Sequence, residues 1–244
     1  FIIQGGDCAE TFSDFNGELI KNKLNILLQM SVLLSYKTSL KTIRIGRIAG
    51  QFAKPRTNPT EIFNNIEFPS YRGDAINSLD CNLKSRTPDP FRMLEAYNQS
   101  VYTLNLIRSI INSGYTNILN ANEWDLDFIK QSPQVREYNK IIGKIQETLS
   151  FIKTVDRKSE NIKNVELYEF FTSHEGLILE YEQALTKFDP LEKKYYDYSG
   201  HMIWVGDRTR SINGSHIEFV SGIENPIGIK LGPSIDKHEL IDII

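Results

Sequence analysis

The sequence predicts an α/β protein built around parallel strands. Short runs of apolar, β-branched or aromatic residues alternate along the chain with longer stretches in which apolar residues recur every three or four positions. Strands separated by helices are typical of parallel βαβ units. The chain has 244 residues, which is enough to bury a large single core or to form one α/β barrel.

The predicted elements alternate in chain order. Strands are expected at Phe1–Gln4, Thr42–Ile48, Asn117–Ala121, Val165–Phe171, Met202–Val205, Ile217–Val220 and Ile227–Leu231, where β-branched and aromatic residues cluster. Helices are expected at Leu19–Leu34, Pro90–Asn112, Gln134–Lys153 and Lys237–Ile244, where the apolar spacing is helical. Gly114 supplies a stop signal after the second helix. Residues 55–90 are rich in Pro, Asn, Asp and Ser, and we expect a long functional loop there.

Composition and charge argue against several classes of protein. Hydrophobic residues make up 40% of the chain and charged residues 24%, as in ordinary globular proteins. A net charge of −3 argues against a nucleic-acid-binding protein. No apolar run approaches the ~20 residues that span a bilayer, and Phe1-Ile2-Ile3 is too short for a signal peptide. Because Cys8 and Cys81 cannot form a disulfide framework, we expect a cytoplasmic protein.

A basic segment, Arg44–Arg56, begins in a predicted strand and continues into a loop that contains glycine. Its four cations are Arg44, Arg47, Lys54 and Arg56. Crowding like charges is costly unless an anion neutralises them, and guanidinium and ammonium groups suit phosphate and carboxylate oxygens. The segment indicates a small, multiply charged anionic substrate. A solvated loop with scattered charge is the alternative.

Three further positions lie in or just after predicted strands, where α/β proteins bind ligands. Cys8 follows two glycines, and it is either a small buried hydrophobic residue or a metal-binding thiolate. Asp207 lies in the WVGDRTR motif and can orient one of its two arginines. Lys230 lies inside an apolar strand, where its ammonium group needs an anionic partner. A structural salt bridge is the alternative for Lys230.

The remaining ionisable residues give no metal signature. The four histidines, His174, His201, His216 and His238, have no recognisable metal-ligand spacing, and we expect them to be structural or surface residues. Three glutamates, Glu175, Glu180 and Glu182, lie in a helix-like stretch and are interpreted as a solvated face.

Seven motifs together carry a resemblance to a known family. They are Gln4–Glu10, Gly46–Arg56, Tyr71–Asn77, Thr87–Tyr97, Thr172–Thr186, His201–Arg210 and Asn225–Pro233. In this order they resemble type II 3-deoxy-D-arabino-heptulosonate 7-phosphate (DAHP) synthases. The resemblance implies a (β/α)8 TIM barrel, a divalent metal such as Mn²⁺ or Co²⁺, and condensation of phosphoenolpyruvate with erythrose 4-phosphate to DAHP and phosphate. That reaction is the first step of the shikimate pathway, which leads to the aromatic amino acids.

The resemblance also implies roles for individual residues. Cys8 corresponds to a metal ligand of the family. The residues implied at phosphoenolpyruvate are Arg47, Asp207, Arg208 and Lys230, and those implied at erythrose 4-phosphate are Lys54, Pro55, Arg56 and Thr57. The catalytic residues implied are Arg47, Lys54 and Lys230. Asp207 stands where the family usually has glutamate, which is one methylene longer.

The family pattern further implies that residues 1–244 are one incomplete catalytic barrel domain. The N-terminal extension, the last strands and the later metal ligands are expected outside it, which leaves about five or six of the eight barrel strands. A helical insertion is predicted around residues 130–160, and a homo-oligomer with aromatic amino acid effectors is expected. The alternatives are a non-catalytic or regulatory paralogue that keeps the anion pocket, and a related synthase that joins phosphoenolpyruvate to another aldose phosphate.

Overall fold

The computed structural model describes residues 1–116, 130–155, 169–233 and 235–243. The strands in these ranges are β1 (Ile2–Gly6), β2 (Ile43–Arg47), β3 (Thr60–Phe63), β4 (Ile66–Pro69), β5 (Phe170–Glu175), β6 (Thr186–Asp189), β7 (Lys194–Asp197), β8 (Met202–Val205) and β9 (Ile227–Ile229). The helices are α1 (Gly17–Thr38), α2 (Leu83–Arg86), α3 (Arg92–Asn112), α4 (Val135–Val155), α5 (Leu179–Leu185), α6 (Ser215–Ser221) and α7 (Lys237–Ile243), with a 3-10 helix at Phe12–Asp14.

The main sheet has five strands in the order β1-β2-β5-β8-β9. Parallel register joins β5 to β8, with Glu175 opposite Trp204, and joins β8 to β9, with Val205 opposite Ile229. Helices separate the strands in the sequence, as in parallel βαβ connections. The predicted α/β class is therefore confirmed, and the complete eight-stranded barrel stays a prediction.

Two antiparallel hairpins accompany the main sheet. In the first, β3 pairs with β4, with Phe63 opposite Ile66. Asn64 and Asn65 make the turn with φ of 51° and 61°, and asparagine tolerates this left-handed region better than most residues. The second hairpin pairs β6 with β7. The prediction of one long loop over residues 55–90 is therefore wrong, because this range contains the first hairpin and α2.

Most predicted elements are confirmed, including strand Met202–Val205 with its predicted bounds. The strand predicted at Ile217–Val220 is wrong, since these residues lie in α6. Ile217 and Val220 are three positions apart and pack beside Ile203 and Val205, a spacing that places both on one helix face. The predicted strand at 117–121 and positions 165–168 of another lie outside the described residues.

The chain divides into two compact units, and the first comprises Phe1–Gly5, Asn16–Gly46 and Leu104–Phe170. Its core cluster consists of Leu28, Val32 and Ile145, with Tyr115, Ile141 and Ile142 packed against it. The Asn16 side chain caps α1 by accepting hydrogen bonds from the backbone N–H groups of Glu18 and Leu19. The helix predicted at Gln134–Lys153 is confirmed as α4, whereas its role as an insertion stays a prediction.

The second unit comprises Gly6–Phe15, Arg47–Thr103 and Phe171–Ile244. One core cluster contains Phe52, Ala75 and Ala96, and another contains Ile203, Val205 and Val220. This unit holds the carboxyl ends of β5, β8 and β9 and the residues that directly follow β1 and β2. Every site residue predicted from the sequence resemblance therefore lies in it.

None of the helices in the described ranges combines the length and the apolar character that crossing a membrane requires.

Candidate anion-binding site

Arg47 is the last residue of β2. Its Nη2 donates a hydrogen bond of 2.8 Å to the carbonyl oxygen of Cys8, and its guanidinium carbon lies 4.7 Å from the centre of the Trp204 ring. Its Nε is buried and has no hydrogen-bond partner among the described residues. The guanidinium group is thus held by neutral contacts, which orient its charge without cancelling it.

A glycine at the end of β1 allows the close approach that places Arg47. A Cβ atom on Gly6 would lie 2.2 Å from the carbonyl oxygen of Arg47, which is far inside van der Waals contact. Gly6 also has φ of +150°, a conformation that residues with a side chain rarely adopt. Gly6, the second glycine of the motif that precedes Cys8, is therefore needed for the backbone of β1 to pack against Arg47.

Glu175 is a site residue that the sequence interpretation missed. It ends β5 and is 4% exposed, so the interpretation of Glu175 as part of a solvated helix face is wrong. Burial raises the pKa of Glu175, and the positive charges of Arg47 and Lys230, followed by those of His216 and Arg208, partly oppose this effect. These side chains act on the same carboxyl group, and three of them were predicted to bind phosphoenolpyruvate.

The KPRT segment, Lys54–Thr57, is held mainly by hydrogen bonds to backbone carbonyl oxygens of residues 71 and 72. Lys54 N–H donates to the carbonyl oxygen of Arg72 at 2.8 Å, and Arg56 Nε donates to that of Tyr71 at 2.7 Å. Arg56 Nη2 also lies 4.0 Å from a Glu61 carboxylate oxygen. Pro55 is half-buried between the two cations. The ammonium group of Lys54 forms no ion pair that the described part of the chain shows.

The KPRT segment also contacts the loop that follows β8. Arg208 is exposed, and its Nη2 donates to the Thr57 hydroxyl at 2.9 Å. This contact joins a residue predicted to bind phosphoenolpyruvate to one predicted to bind erythrose 4-phosphate. The structure therefore brings the two predicted sets of residues together within one compact unit.

Asp207 orients a neighbouring arginine, as the sequence predicts. Its Oδ1 accepts a 3.0 Å hydrogen bond from Arg210 Nε, and Arg210 also pairs with Glu239. The arginine that it orients is therefore the buried Arg210, whereas Arg208 binds Thr57.

Lys230 differs from its prediction. It is the first residue after β9 and is exposed, so its placement inside an apolar strand is wrong. Its backbone N–H donates to the carbonyl oxygen of Val205 at 2.9 Å, which fixes the start of the loop. Lys230 thus follows the carboxyl end of β9, as Glu175 ends β5 and Arg208 follows β8.

Cys8 is an exposed free thiol, so the alternative of a small buried hydrophobic residue is wrong. No group of three or more His, Cys, Asp or Glu side chains in the described ranges is arranged to hold a metal ion. A divalent metal needs several ligands at once. The described donors therefore do not fit a complete metal site, because Cys8 supplies a single ligand.

His174, which precedes Glu175 in β5, forms a buried pair with Glu182. Each side chain is 2% exposed, and His174 Nε2 lies 3.0 Å from Glu182 Oε1. Burial alone lowers the pKa of His174, but the charge and hydrogen bond of Glu182 outweigh it, so the net shift is upward. The structural role predicted for His174 is confirmed, and the interpretation of Glu182 as solvated is wrong.

Arg44 is buried, whereas Arg47, Lys54 and Arg56 are half-buried. Arg44 belongs to the first unit, is 4% exposed, and its Nη2 donates to the carbonyl oxygen of Thr42 at 3.0 Å. Of the four cations of the segment, Arg47, Lys54 and Arg56 lie in the second unit with the other predicted site residues.

Known proteins similar to this chain match it along its whole length. A phospho-2-dehydro-3-deoxyheptonate aldolase of Streptomyces coelicolor is 44% identical over 244 residues, covering 100% of this chain and 54% of the relative. The aldolase of the same name from Neurospora crassa is 41% identical over 259 residues, covering 100% and 53%. Phospho-2-dehydro-3-deoxyheptonate aldolase AroG of Mycolicibacterium smegmatis is 38% identical over 249 residues, covering 100% and 52%.

The chain spans about half the length of these curated relatives. The sequence model of the class-II DAHP synthetase family matches residues 1–244. Together with the motifs that follow the strands, this match shows that the chain belongs to the class-II DAHP synthetase family.

Proposed function

We propose that this chain forms the phosphoenolpyruvate-binding part of a DAHP synthase, with the KPRT segment holding erythrose 4-phosphate. The observation that carries the proposal is that the Arg47 guanidinium lies over the ring of Trp204, which is the register partner of Glu175. Arg208 and Lys230 follow the neighbouring strands β8 and β9, and the positive charges of all three act on the Glu175 carboxyl group. The family membership supports the same reaction. It is the condensation of phosphoenolpyruvate with erythrose 4-phosphate to DAHP and phosphate.

The proposed reaction brings two anions into one site. Cations fixed before the substrates arrive offset their mutual repulsion. Arg47, Arg208 and Lys230 would bind the phosphate and carboxylate of phosphoenolpyruvate, for which guanidinium forks are suited. Lys54 and Arg56 would bind the phosphate of the aldose, with Thr57 and Pro55 fixing their positions.

The bond changes follow from the substrates. The enol carbon of phosphoenolpyruvate attacks the aldehyde carbon of erythrose 4-phosphate, and the aldehyde oxygen takes up a proton. Water then adds to the cationic carbon that results, and phosphate leaves as its C–O bond breaks. Burial raises the pKa of Glu175 above that of an ordinary carboxyl group, so Glu175 binds a proton more readily than a solvated glutamate does.

A divalent metal belongs to the same proposal. Bound metal would act as a Lewis acid toward the aldehyde, and Cys8 would contribute one thiolate. Cys8→Ser in the complete protein should lower metal affinity, since a hydroxyl is a poor substitute for a thiolate. Metal occupancy measured after dialysis checks this, and Cys81→Ser, at the other exposed thiol, is the matched control. Equal occupancy in the two variants would remove Cys8 from the metal site.

The test of the proposed function is an assay of phosphate release from the complete protein with both substrates. Lys230→Ala should lower kcat/KM for phosphoenolpyruvate by about 100-fold, the effect of losing one positioned charge. Lys84→Ala, at an exposed cation of α2 in the same unit, should leave it unchanged. Phosphate release that requires an aldose phosphate other than erythrose 4-phosphate would replace the proposed acceptor.

The remaining proposals concern assembly, regulation and location. We propose a homo-oligomer, tested by light scattering, and feedback by aromatic amino acids, tested by titrating the complete protein with Phe, Tyr and Trp. A cytoplasmic location agrees with the free thiols of Cys8 and Cys81, and fractionation of cells tests it.

A further inference from the structure

Glu10 is a buried carboxylate that the proposed reaction does not use. It lies two residues after Cys8, is 5% exposed, and accepts backbone hydrogen bonds from Ala49, Gly50 and Gln51 at 3.0, 2.9 and 2.8 Å. Its own backbone N–H donates to the carbonyl oxygen of Gln51 at 2.7 Å. Four hydrogen bonds thus join Glu10 to the loop that follows β2.

The loop bound by Glu10 has the form of an anion-binding nest. Ala49 has φ of +65°, and the three successive N–H groups of residues 49–51 converge on one carboxylate. Converging backbone N–H groups in such a turn commonly bind phosphate or other anions. Here an internal carboxylate takes that place, so these N–H groups cannot bind a substrate anion at the same time.

Gln51 continues the connection toward Glu175. Gln51 is fully buried, its Nε2 donates to the carbonyl oxygen of Ala53 at 3.0 Å, and its Oε1 accepts from the backbone N–H of Glu175 at 2.9 Å. A Cβ atom on Gly50 would lie 2.5 Å from His174 Nδ1, so the loop also packs directly on β5. The hydrogen-bonded connection from Glu10 through Gln51 therefore ends at the backbone of Glu175, the residue on whose carboxyl group Arg47, Lys230 and Arg208 act.

We propose that Glu10 is a positioning residue of the anion site, acting as a built-in anion that holds the loop between Arg47 and Lys54 in its binding conformation. Gln51 transmits this position to Glu175. Substrate anions are consequently recognised by the cationic side chains around the loop and not by its backbone. The inference rests on the proposed function, because phosphoenolpyruvate is the anion whose binding it explains.

The negative charge of Glu10 is the feature that matters. A carboxylate offers acceptor oxygens to all three N–H groups, whereas an amide of the same size turns an NH₂ group toward at least one of them. Glu10→Gln should therefore shift the loop that begins at Arg47 and ends at Lys54. We expect the Kd for phosphoenolpyruvate to rise at least tenfold, and Glu10→Asp, which keeps the charge, to restore part of the affinity.

Asp74 provides a matched control. It is a carboxylate in the same unit, 7% exposed, that accepts hydrogen bonds from the backbone N–H of Phe12 at 2.7 Å and from the hydroxyl of Tyr71 at 2.9 Å. Asp74→Asn alters a buried carboxylate whose hydrogen bonds come from Phe12 and Tyr71 and not from the N–H groups of residues 49–51. We expect it to destabilise the fold without changing the affinity for phosphoenolpyruvate.

The experiment is a titration of the complete protein with phosphoenolpyruvate. Binding is detected by calorimetry or by a change in tryptophan fluorescence, since Trp204 lies beside Arg47. Thermal unfolding of each variant is measured in parallel. Absence of binding by the unaltered protein would overturn the proposed function and this inference with it. Binding by the unaltered protein with the same Kd in Glu10→Gln, or an equal rise in Asp74→Asn, would overturn the inference alone.

A second variant covers the case in which Glu10→Gln does not fold. Gln51→Met keeps a similar volume and removes both side-chain hydrogen bonds, one of them to the backbone of Glu175. We expect a severalfold rise in the Kd for phosphoenolpyruvate. An unchanged Kd in a folded Gln51→Met protein would overturn the connection from Glu10 to Glu175.

Discussion

Arg86 and Arg208 carry the same charged group in the same compact unit, but their surroundings differ. The Arg86 side chain is 2% exposed, its Nη1 lies 2.5 Å from a Glu61 oxygen, and its Nη2 and Nε donate to the carbonyl oxygens of Leu79 and Asp80 at 2.9 and 3.0 Å. Arg208 is exposed and donates to the Thr57 hydroxyl. The donors of Arg86 are already bound within the protein, so its guanidinium group stabilises the loop around it. Arg208 has a neutral partner, so its positive charge is not compensated there and can bind an anionic ligand.

The buried carboxylates Glu175 and Glu182 show the same contrast. Burial tends to raise the pKa of Glu182, but the charge and hydrogen bond of His174 outweigh it and the net shift is downward. Burial raises the pKa of Glu175, and the more distant cations offset this only in part. A directly bound partner fixes the charge of Glu182, whereas Glu175 retains a proton affinity that a substrate can change.

The largest expected effect comes from the internally bound arginine. Arg86→Met should lower the free energy of unfolding by about 3 kcal/mol, the lower end of the range for breaking a buried ion pair, because Glu61 is partly exposed. KM for phosphoenolpyruvate should not change. Urea denaturation and steady-state kinetics of the complete protein check both parts, and a raised KM with unaltered stability would reverse the assignment of Arg86.

For the exposed Arg208, we expect a large effect on KM and a small effect on stability. Arg208→Ala should raise KM for phosphoenolpyruvate about 100-fold, close to 2.7 kcal/mol of binding free energy, while stability changes by less than about 0.5 kcal/mol, as at most surface positions. Arg208→Lys keeps the positive charge but loses the two-pronged guanidinium group. Its KM for phosphoenolpyruvate should lie between those of the unaltered protein and of Arg208→Ala. An unchanged KM in Arg208→Ala would remove this residue from the site.

A smaller effect is expected in the pH dependence of stability. The pKa of His174 is raised above 6.5 in the folded protein, so its contribution is fully present below pH 6.5 and is lost as pH rises through the folded pKa. The pKa of Asp197 is raised to about 6 by burial and by Glu182, so Asp197 titrates mainly below this window.

Urea denaturation between pH 6 and 9 measures this contribution. His174→Gln should flatten the decline in stability, whereas His238→Gln, at an exposed histidine of α7, should keep it. An equally steep decline in His174→Gln would show that Glu182 does not hold the imidazolium form.

The sequence predicted which loops follow the strands, because strands and the motifs that follow them are local features. The alternation of strands and helices gave the α/β class, and the motifs of Arg47 and Arg208 were predicted at strand ends, where the structure has them, whereas Lys230 was predicted inside a strand. Position at a strand end depends on residues close in sequence. The positions of these motifs relative to the strand ends could therefore be predicted from the sequence alone.

The sequence did not predict which charged side chains have a partner inside the protein and which are exposed. Glu61 is 25 positions from Arg86 but lies 2.5 Å from it, and Glu175 N–H binds a glutamine 124 positions away. Such partners are set by tertiary packing and not by local spacing. For this reason the sequence did not distinguish buried Arg44 from half-buried Arg47, and it placed the buried Glu175 and Glu182 on a solvated face.

The smallest effect tests the contact that holds the exposed Arg208. Thr57→Val replaces the hydroxyl that accepts from Arg208 Nη2 at 2.9 Å, and KM for phosphoenolpyruvate should rise about threefold, as expected for one exposed hydrogen bond. Thr60→Val is the matched control, because its hydroxyl bonds Glu67 within the β3–β4 hairpin. Steady-state kinetics should show no change in the control. If both variants behave alike, Arg208 is oriented by the ligand itself and Thr57 serves only the unbound protein.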